Sequence, residues 1–200
     1  MALLERDVDP DPFVQLARWY DDARAAAGER ADAMVVATAT PDGAPSARMV
    51  LLRGLDDRGL CFYTNTESRK GQELAANPRA ALVLHWPEVG RQVRATGAVT
   101  RLDHDESDAY WRNRPRASQL SAWASRQSEP VGSRDELEAE VGLLTARFRD
   151  AEVPLPPFWG GYRVVPDEIE LWEHREDRLH DRLRYRRDAA GGWQIERLAP

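Results

Sequence analysis

The stretch Ala33-Met-Val-Val-Ala-Thr-Ala-Thr40, Pro41-Asp-Gly43, Ser46-Ala-Arg-Met-Val-Leu-Leu52 decides the fold, because it reads as strand, turn and strand. β-Branched and apolar residues fill both runs, and the Pro-Asp-Gly between them supplies turn chemistry. A second turn, Asp56-Asp-Arg-Gly59, leads into Leu60-Cys-Phe-Tyr-Thr64, giving three strands of an antiparallel meander. Upstream, residues 13–26 read as a helix. Phe13, Leu16, Ala17 and Tyr20 recur at helical spacing, and Asp11-Pro12 supplies the cap and first turn. Downstream, Ser68 caps a short helix over 69–76 that Asn77-Pro78 closes. Strands are expected at 80–86 and 92–102, then helices at 105–113, 118–124 and 133–149. In the last of these Leu137, Val141, Leu144 and Phe148 form one stripe, and Ser133 and Glu136 are spaced as a capping box. Beyond Pro154-Leu-Pro-Pro157, strands are expected at 162–165, 168–172, 183–186 and 193–198.

So many short strands, with helices interspersed irregularly, predict a mainly β fold with peripheral helices (α+β), closed or nearly closed into a barrel. A doubly wound βαβ arrangement does not match this order. Residues 1–10 read as a polar leader and 11–200 as one domain, in keeping with a chain of 200 residues. Hydrophobic residues at 42% give a globular composition. The net charge of −6 argues against a general nucleic-acid binder, which needs a basic face. Cys61 is the only cysteine, so no intramolecular disulfide can form and a cytoplasmic location is expected. Neither a secretory signal nor a membrane span is read.

Common catalytic signatures are missing: no GxGxxG, no phosphate loop, no HExxH and no GxSxG. No metal site is expected, because Cys61 and the four histidines lack ligand spacing. Three clusters carry the remaining chemistry. Ser68-Arg69-Lys70 opens a helix, where N–H groups and two cations suit an anion, although an ordinary solvated turn reads equally well. Among 28 basic residues Lys70 is the only lysine, which suggests that an ammonium is wanted there. Arg178-Leu-His-Asp-Arg182, if extended, puts Arg178, His180 and Arg182 on one face. Taken alone, that run reads as a solvated, Arg-rich edge strand. Tyr110, Arg114 and Ser118 follow one another at helical spacing and suit a phosphate monoester, if the helix bends past Pro115, although an amphipathic helix with a capped successor reads as well. Arg48, Gln92, Gln127 and Ser128 add a cation and neutral polar groups suited to a heteroaromatic edge.

The order and wording of these motifs resemble the pyridoxamine 5′-phosphate oxidase family. The resemblance runs from about Asp11 to Pro200 and is carried by Arg48-Met-Val-Leu-Leu, Phe62-Tyr-Thr-Asn, Ser68-Arg-Lys70, Asn77-Pro-Arg79, Arg91-Gln-Val93, Arg114-Pro-Arg-Ala-Ser-Gln119, Ser125-Arg-Gln-Ser128, Phe158-Trp-Gly-Gly161 and Arg178-Leu-His-Asp-Arg182. It implies an FMN-binding split β-barrel and a homodimer with FMN at the subunit interface. By family pattern FMN is held by Arg48, Tyr63, Thr64, Arg69, Lys70, Gln92, Gln127, Ser128, Trp172 and Arg182. Arg48, Arg69 and Lys70 would meet its phosphate, and Gln92 and Trp172 would lie near its rings. Tyr110, Arg114 and Ser118 would meet the phosphate of a B6 vitamer, with Arg178 and His180 over its pyridine ring. The implied reaction oxidises pyridoxine or pyridoxamine 5′-phosphate to pyridoxal 5′-phosphate, with O2 reduced to hydrogen peroxide.

Two departures stand out. Arg53 takes the place of a lysine that usually contacts the substrate phosphate, and the short leader lacks the family's Arg-x-x-Tyr segment. Two alternatives differ in chemistry. The related phenazine-biosynthesis oxidases share several motifs but typically alter the substrate-phosphate residues, whereas Tyr110, Arg114 and Ser118 are all present here. A non-catalytic FMN or pyridoxal-phosphate binding protein would lose the residues over the pyridine ring, yet Arg178 and His180 are retained.

Overall fold

The computed structural model describes residues 2–200. Helix α1 (Pro12–Ala27) starts where expected, with Asp11 Oδ1 accepting from Phe13 N at 2.8 Å and Pro12 in the first turn. A 3₁₀ turn (Gly28–Asp32) leads into β1 (Ala33–Ala39), β2 (Pro45–Leu51), a short β3 (Gly54–Asp56) and β4 (Gly59–Asn65). Helix α2 (Arg69–Ala76) is followed by β5 (Arg79–Trp86) and β6 (Arg91–Arg101). Three helices come next, α3 (His104–Arg112), α4 (Arg116–Ala124) and α5 (Arg134–Arg147). The chain ends with β7 (Trp159–Glu173), β8 (Asp181–Arg187) and β9 (Trp193–Arg197).

All nine strands belong to one antiparallel sheet in the order β2-β1-β5-β6-β7-β4-β3, with β8 and β9 continuing from β7. The sheet curls because its two edges are one stretch of chain. β2 ends beside β1, where Leu52 N donates to Asp32 O at 2.8 Å. The next residue has already crossed, since Arg53 N donates to Cys61 O at 2.8 Å on β4. Two successive residues therefore bond to opposite edges, and Arg53 occupies the corner. The core fills the curl with Leu16, Met34, Val36, Phe62, Leu82, Trp86, Ile169 and Tyr185, all at most 1% exposed. The leader packs here too: Val8 is buried, and Tyr185 Oη donates to Asp9 O at 2.7 Å.

Three expectations are corrected. The run 60–64 does not continue a meander from 46–52, because β4 pairs with β3 and β7 and stands at the other end of the strand order from β2. The strands read at 162–165 and 168–172 are one strand of 15 residues. Pro166, which has no N–H, lies at a bulge: Gly97 pairs with Pro166 and Thr96 with Glu168, leaving Asp167 as the extra residue. Proline there bends the ladder without ending it. β7 then takes β4 along residues 159–164 and β8 along 168–173 on the same edge, with β6 on the other. The apolar stripe of α5 is also only half used. Leu144 and Phe148 are buried, in a second cluster with Trp111, Leu120, Val153 and Trp159, whereas Leu137 is exposed and Val141 half-exposed. Only the C-terminal end of α5 reaches that cluster. Among the described residues no helix is long and apolar enough to cross a membrane.

Candidate active site

A cleft of about 880 Å³ opens between β2, the end of β4, the start of α2 and the α3–α4 connection. Eleven of the expected site residues line it: Arg48, Arg53, Tyr63, Thr64, Arg69, Lys70, Tyr110, Arg114, Ser118, Gln127 and Ser128. Arg48 and Arg53 are five residues apart, roughly 16 Å of extended chain, so they head two separate groups of cations.

The first group gathers at the N-terminus of α2. Ser68 caps the helix through Gly71 N, and Gly71 is required by close packing: a Cβ there would lie 2.0 Å from the Thr66 carbonyl oxygen. The turn is thereby pressed inward and Lys70 is buried. Its Nζ donates to Gln127 Oε1 at 2.6 Å, Thr64 Oγ1 at 3.0 Å and Ser68 Oγ at 3.2 Å. All three partners are neutral. Burial, reinforced by the charge of Arg48, lowers the ammonium pKa to about 8. Arg48 and Arg69 share Glu73, at 3.4 Å from Arg48 Nη2 and 2.9 Å from Arg69 Nε. Burial alone would raise the Glu73 pKa, but hydrogen bonds from Ser46, Thr38 and Arg69 and the charge of Arg48 bring it down to about 2. Sequence reading missed Glu73, although its i,i+4 spacing from Arg69 was a usable signal.

The second group rests on stacked aromatic rings. Tyr63 and Tyr110 stack at 3.9 Å between centroids, and Trp159 lies nearly parallel at 5.5 Å from Tyr63. Gly161 makes room for this stack, since a Cβ there would come within 2.7 Å of the Tyr63 ring. The Arg114 guanidinium sits 4.9 Å over the Trp159 ring and donates from Nη2 to Ser118 O at 3.2 Å. Pro115 does end the helix, but α4 restarts directly, so Tyr110, Arg114 and Ser118 converge as expected. Arg114 Nε is buried and has no hydrogen-bond partner among the described residues. Burial holds this guanidinium below its usual basicity, and the charge of Arg53 pushes the same way. Trp159 belongs to the motif Phe158-Trp-Gly-Gly161, whose sequence alone assigns it no role.

The other five expected residues lie apart from the cleft. Gln92, Trp172 and Arg182 are directly paired across β6, β7 and β8, which puts them in one row on one sheet face. The His180 ring is 4.6 Å from Trp172, and its Nδ1 accepts from Arg175 N at 3.0 Å, so the neutral ring carries its proton on Nε2. Arg182 grips Glu170 in two bonds of 2.9 and 3.0 Å. The extended reading of 178–182 fails, because β8 begins only at Asp181 and Arg178 has φ of 63°. Ser128, at φ 79°, is the other non-glycine residue with positive φ among those described. Both were expected site residues, and such strain persists where surrounding structure imposes it.

Residues 20–147 match the family model described as pyridoxamine 5′-phosphate oxidase. The chain belongs to the pyridoxamine 5′-phosphate oxidase family. Residues 159–200 match the pyridoxine 5′-phosphate oxidase C-terminal dimerisation region, which carries Trp172, Arg178, His180 and Arg182. The pyridoxine/pyridoxamine 5′-phosphate oxidase of Rubrobacter xylanophilus is 56% identical, covering 100% of this chain and 91% of that protein. Its namesake in Cupriavidus taiwanensis is 53% identical, covering 100% and 93%. Among solved structures, PhzG from Burkholderia lata 383, in complex with tetrahydrophenazine-1-carboxylic acid, superposes with a TM-score of 0.92 at 36% identity, covering 100% and 98%. A pyridoxamine 5′-phosphate oxidase-related, FMN-binding protein from Nostoc punctiforme shares the split-barrel fold, at a TM-score of 0.74 and 22% identity over 97% and 99%. Pyridoxamine 5′-phosphate oxidases are FMN-dependent oxidoreductases. The cleft fits that cofactor: a buried ammonium with only neutral partners and two guanidiniums suit its phosphate, and Gln127, Ser128 and Thr64 suit its polar edges.

Proposed function

We propose that this protein oxidises pyridoxine and pyridoxamine 5′-phosphate to pyridoxal 5′-phosphate, with O2 as acceptor and hydrogen peroxide as product, the amine substrate also consuming water and releasing ammonia on hydrolysis of its imine. The observation that carries this is one cleft with two separate cationic groups, a demand met by a phosphorylated cofactor and a phosphorylated substrate bound together. FMN, when bound, takes up the two electrons that leave the substrate's exocyclic carbon and passes them to O2.

Arg48, Arg69 and Lys70 would hold the FMN phosphate, with Thr64, Tyr63, Gln127 and Ser128 along the rest of the cofactor. Tyr110, Arg114, Ser118 and Arg53 would take the substrate phosphate, so that Arg114 Nε gains the acceptor it lacks. The Tyr63–Tyr110–Trp159 stack gives this end a dry wall, which strengthens those charge-assisted bonds. Gln92, Trp172, Arg178, His180 and Arg182 would complete the site from the other protomer of a homodimer, with FMN at the interface. Their separation from the cleft in one chain, together with the dimerisation region that carries four of them, supports this. Arg178 and His180 would orient the pyridine ring, with the His180 Nε2–H offering a hydrogen bond beside the oxidised carbon.

The test is anaerobic. FMN-loaded protein mixed with either B6 phosphate should bleach near 450 nm within seconds. Bleaching by a dihydrophenazine carboxylic acid and by neither B6 phosphate would replace this reading with that of the PhzG-like oxidases.

Lys70 adds a pH dependence. Below pH 8 the ammonium is charged before FMN arrives. Above it, the unliganded protein must take up a proton to meet the phosphate, so affinity falls as pH rises. FMN should bind about tenfold more weakly at pH 9 than at pH 7, with proton uptake at pH 9. Fluorescence titration in buffers of different ionisation heat measures both. Equal affinity at the two pH values would show that Lys70 does not meet the phosphate.

A further inference from the structure

Arg53 departs from the family pattern, and the structure shows what accompanies it. Its Nη1 donates to Asp32 Oδ2 at 2.5 Å. Asp32 closes the 3₁₀ turn between α1 and β1, and its side chain is only 3% exposed. The other oxygen, Oδ1, accepts from Tyr20 Oη at 2.7 Å and from Arg24 Nη1 at 2.6 Å. Three donors from two other parts of the chain thus fix one buried carboxylate. The backbone is fixed as well, since Leu52 N and Arg53 N bond to opposite edges of the sheet.

The consequence for the Arg53 guanidinium is geometric. One nitrogen is committed to Asp32, and its other N–H groups make no hydrogen bond to the described residues. The side chain is about one-third exposed and lines the cleft with Tyr110, Arg114 and Ser118. Asp32 does not cancel the charge offered there, because Arg24 already balances it and the trio keeps a net positive charge. A planar fork can bridge a carboxylate and a phosphate through separate nitrogens. An ammonium would have to meet both anions from one nitrogen, whereas the guanidinium reaches further and sets its donors apart in a fixed plane.

We propose that Asp32, held by Tyr20 and Arg24, is a positioning residue that aims Arg53 at the substrate phosphate, the two acting as one unit in substrate affinity. This rests on the oxidase reading above. The Arg at position 53 and the carboxylate at position 32 then work as a pair.

The experiment uses FMN-loaded wild type, Asp32→Asn, Arg53→Ala, their double variant and Tyr20→Phe. Three quantities are read: kcat and KM for pyridoxamine 5′-phosphate, Kd for pyridoxal 5′-phosphate by equilibrium titration, and Kd for FMN. Asp32→Asn should raise KM and the pyridoxal-phosphate Kd about tenfold, and the double variant should be no worse than Arg53→Ala. In Asp32→Asn and Tyr20→Phe the FMN Kd and kcat should stay within about twofold, because the cofactor's cations rest on Glu73 instead. Tyr20→Phe removes one hydroxyl from Asp32 while keeping the ring; it should raise KM about two- to threefold and covers the case of a poorly folding Asp32→Asn. Unchanged KM in both single variants at position 32 and 20, additive effects in the double variant, or a parallel loss of FMN affinity would overturn the proposal. Wild-type protein that neither binds pyridoxal 5′-phosphate nor oxidises a B6 phosphate would overturn the oxidase reading and this proposal together. A negative result confined to the variants overturns this proposal alone.

Discussion

Arg178→Ala is expected to lower kcat about 10²- to 10³-fold while leaving FMN affinity within about twofold, because misplacing a ring by about 1 Å forfeits rate without touching the phosphate contacts. Ala keeps the backbone cost of φ 63°, whereas Arg178→Gly relieves it. If the guanidinium is what matters, the two variants should be equally slow, with the Gly variant the more heat-stable. The same variant tests where the site is assembled. Arg178→Ala protomers mixed and reassembled with Lys70→Met protomers form half heterodimers, each with one site free of both changes. Activity should recover to about one quarter of wild type. A mixture no more active than its parents would mean that both clusters serve the same chain's site.

Lys70→Met should produce a colourless protein. Losing a buried charge-assisted bond to phosphate costs about 2–3 kcal/mol, or roughly 30- to 150-fold in FMN affinity. The fold should not suffer, because the substitution also removes a buried charge that has only neutral partners. Thermal unfolding of the FMN-free variant should therefore match or exceed that of FMN-free wild type, and flavin fluorescence titration gives the affinity. Retention of yellow colour through gel filtration at wild-type stoichiometry would place the cofactor phosphate elsewhere.

Much of this was legible in the sequence because it is local. The caps at Asp11, Ser68 and Ser133 and the turn at Pro41-Asp-Gly43 each depend on a few neighbouring residues. The Tyr110–Arg114–Ser118 cluster was legible for the same reason. What periodicity could not show is anything settled across the sheet. Pro166 reads as a strand break, and only its position opposite Gly97 makes it a bulge. Asp32 has no local signal at all, since its partners come from α1 and from the corner beyond β2. The run 178–182 misled because period-two reasoning assumes an extended backbone, and Arg178 is left-handed.

β7 has a meaning that its role in the sheet does not exhaust. Trp159, at its start, belongs to the wall of its own chain's cleft, while Trp172, 13 positions on, belongs to the cluster assigned to the neighbouring site. In the proposed dimer this strand is a ruler between two flavins, its graduations being about 3.3 Å apart. Within its regularly paired stretches on either side of the bulge, one residue added or removed would turn one tryptophan to the wrong side. In that dimer the distance between the two sites would follow from the length of one strand, whatever loops surround each of them.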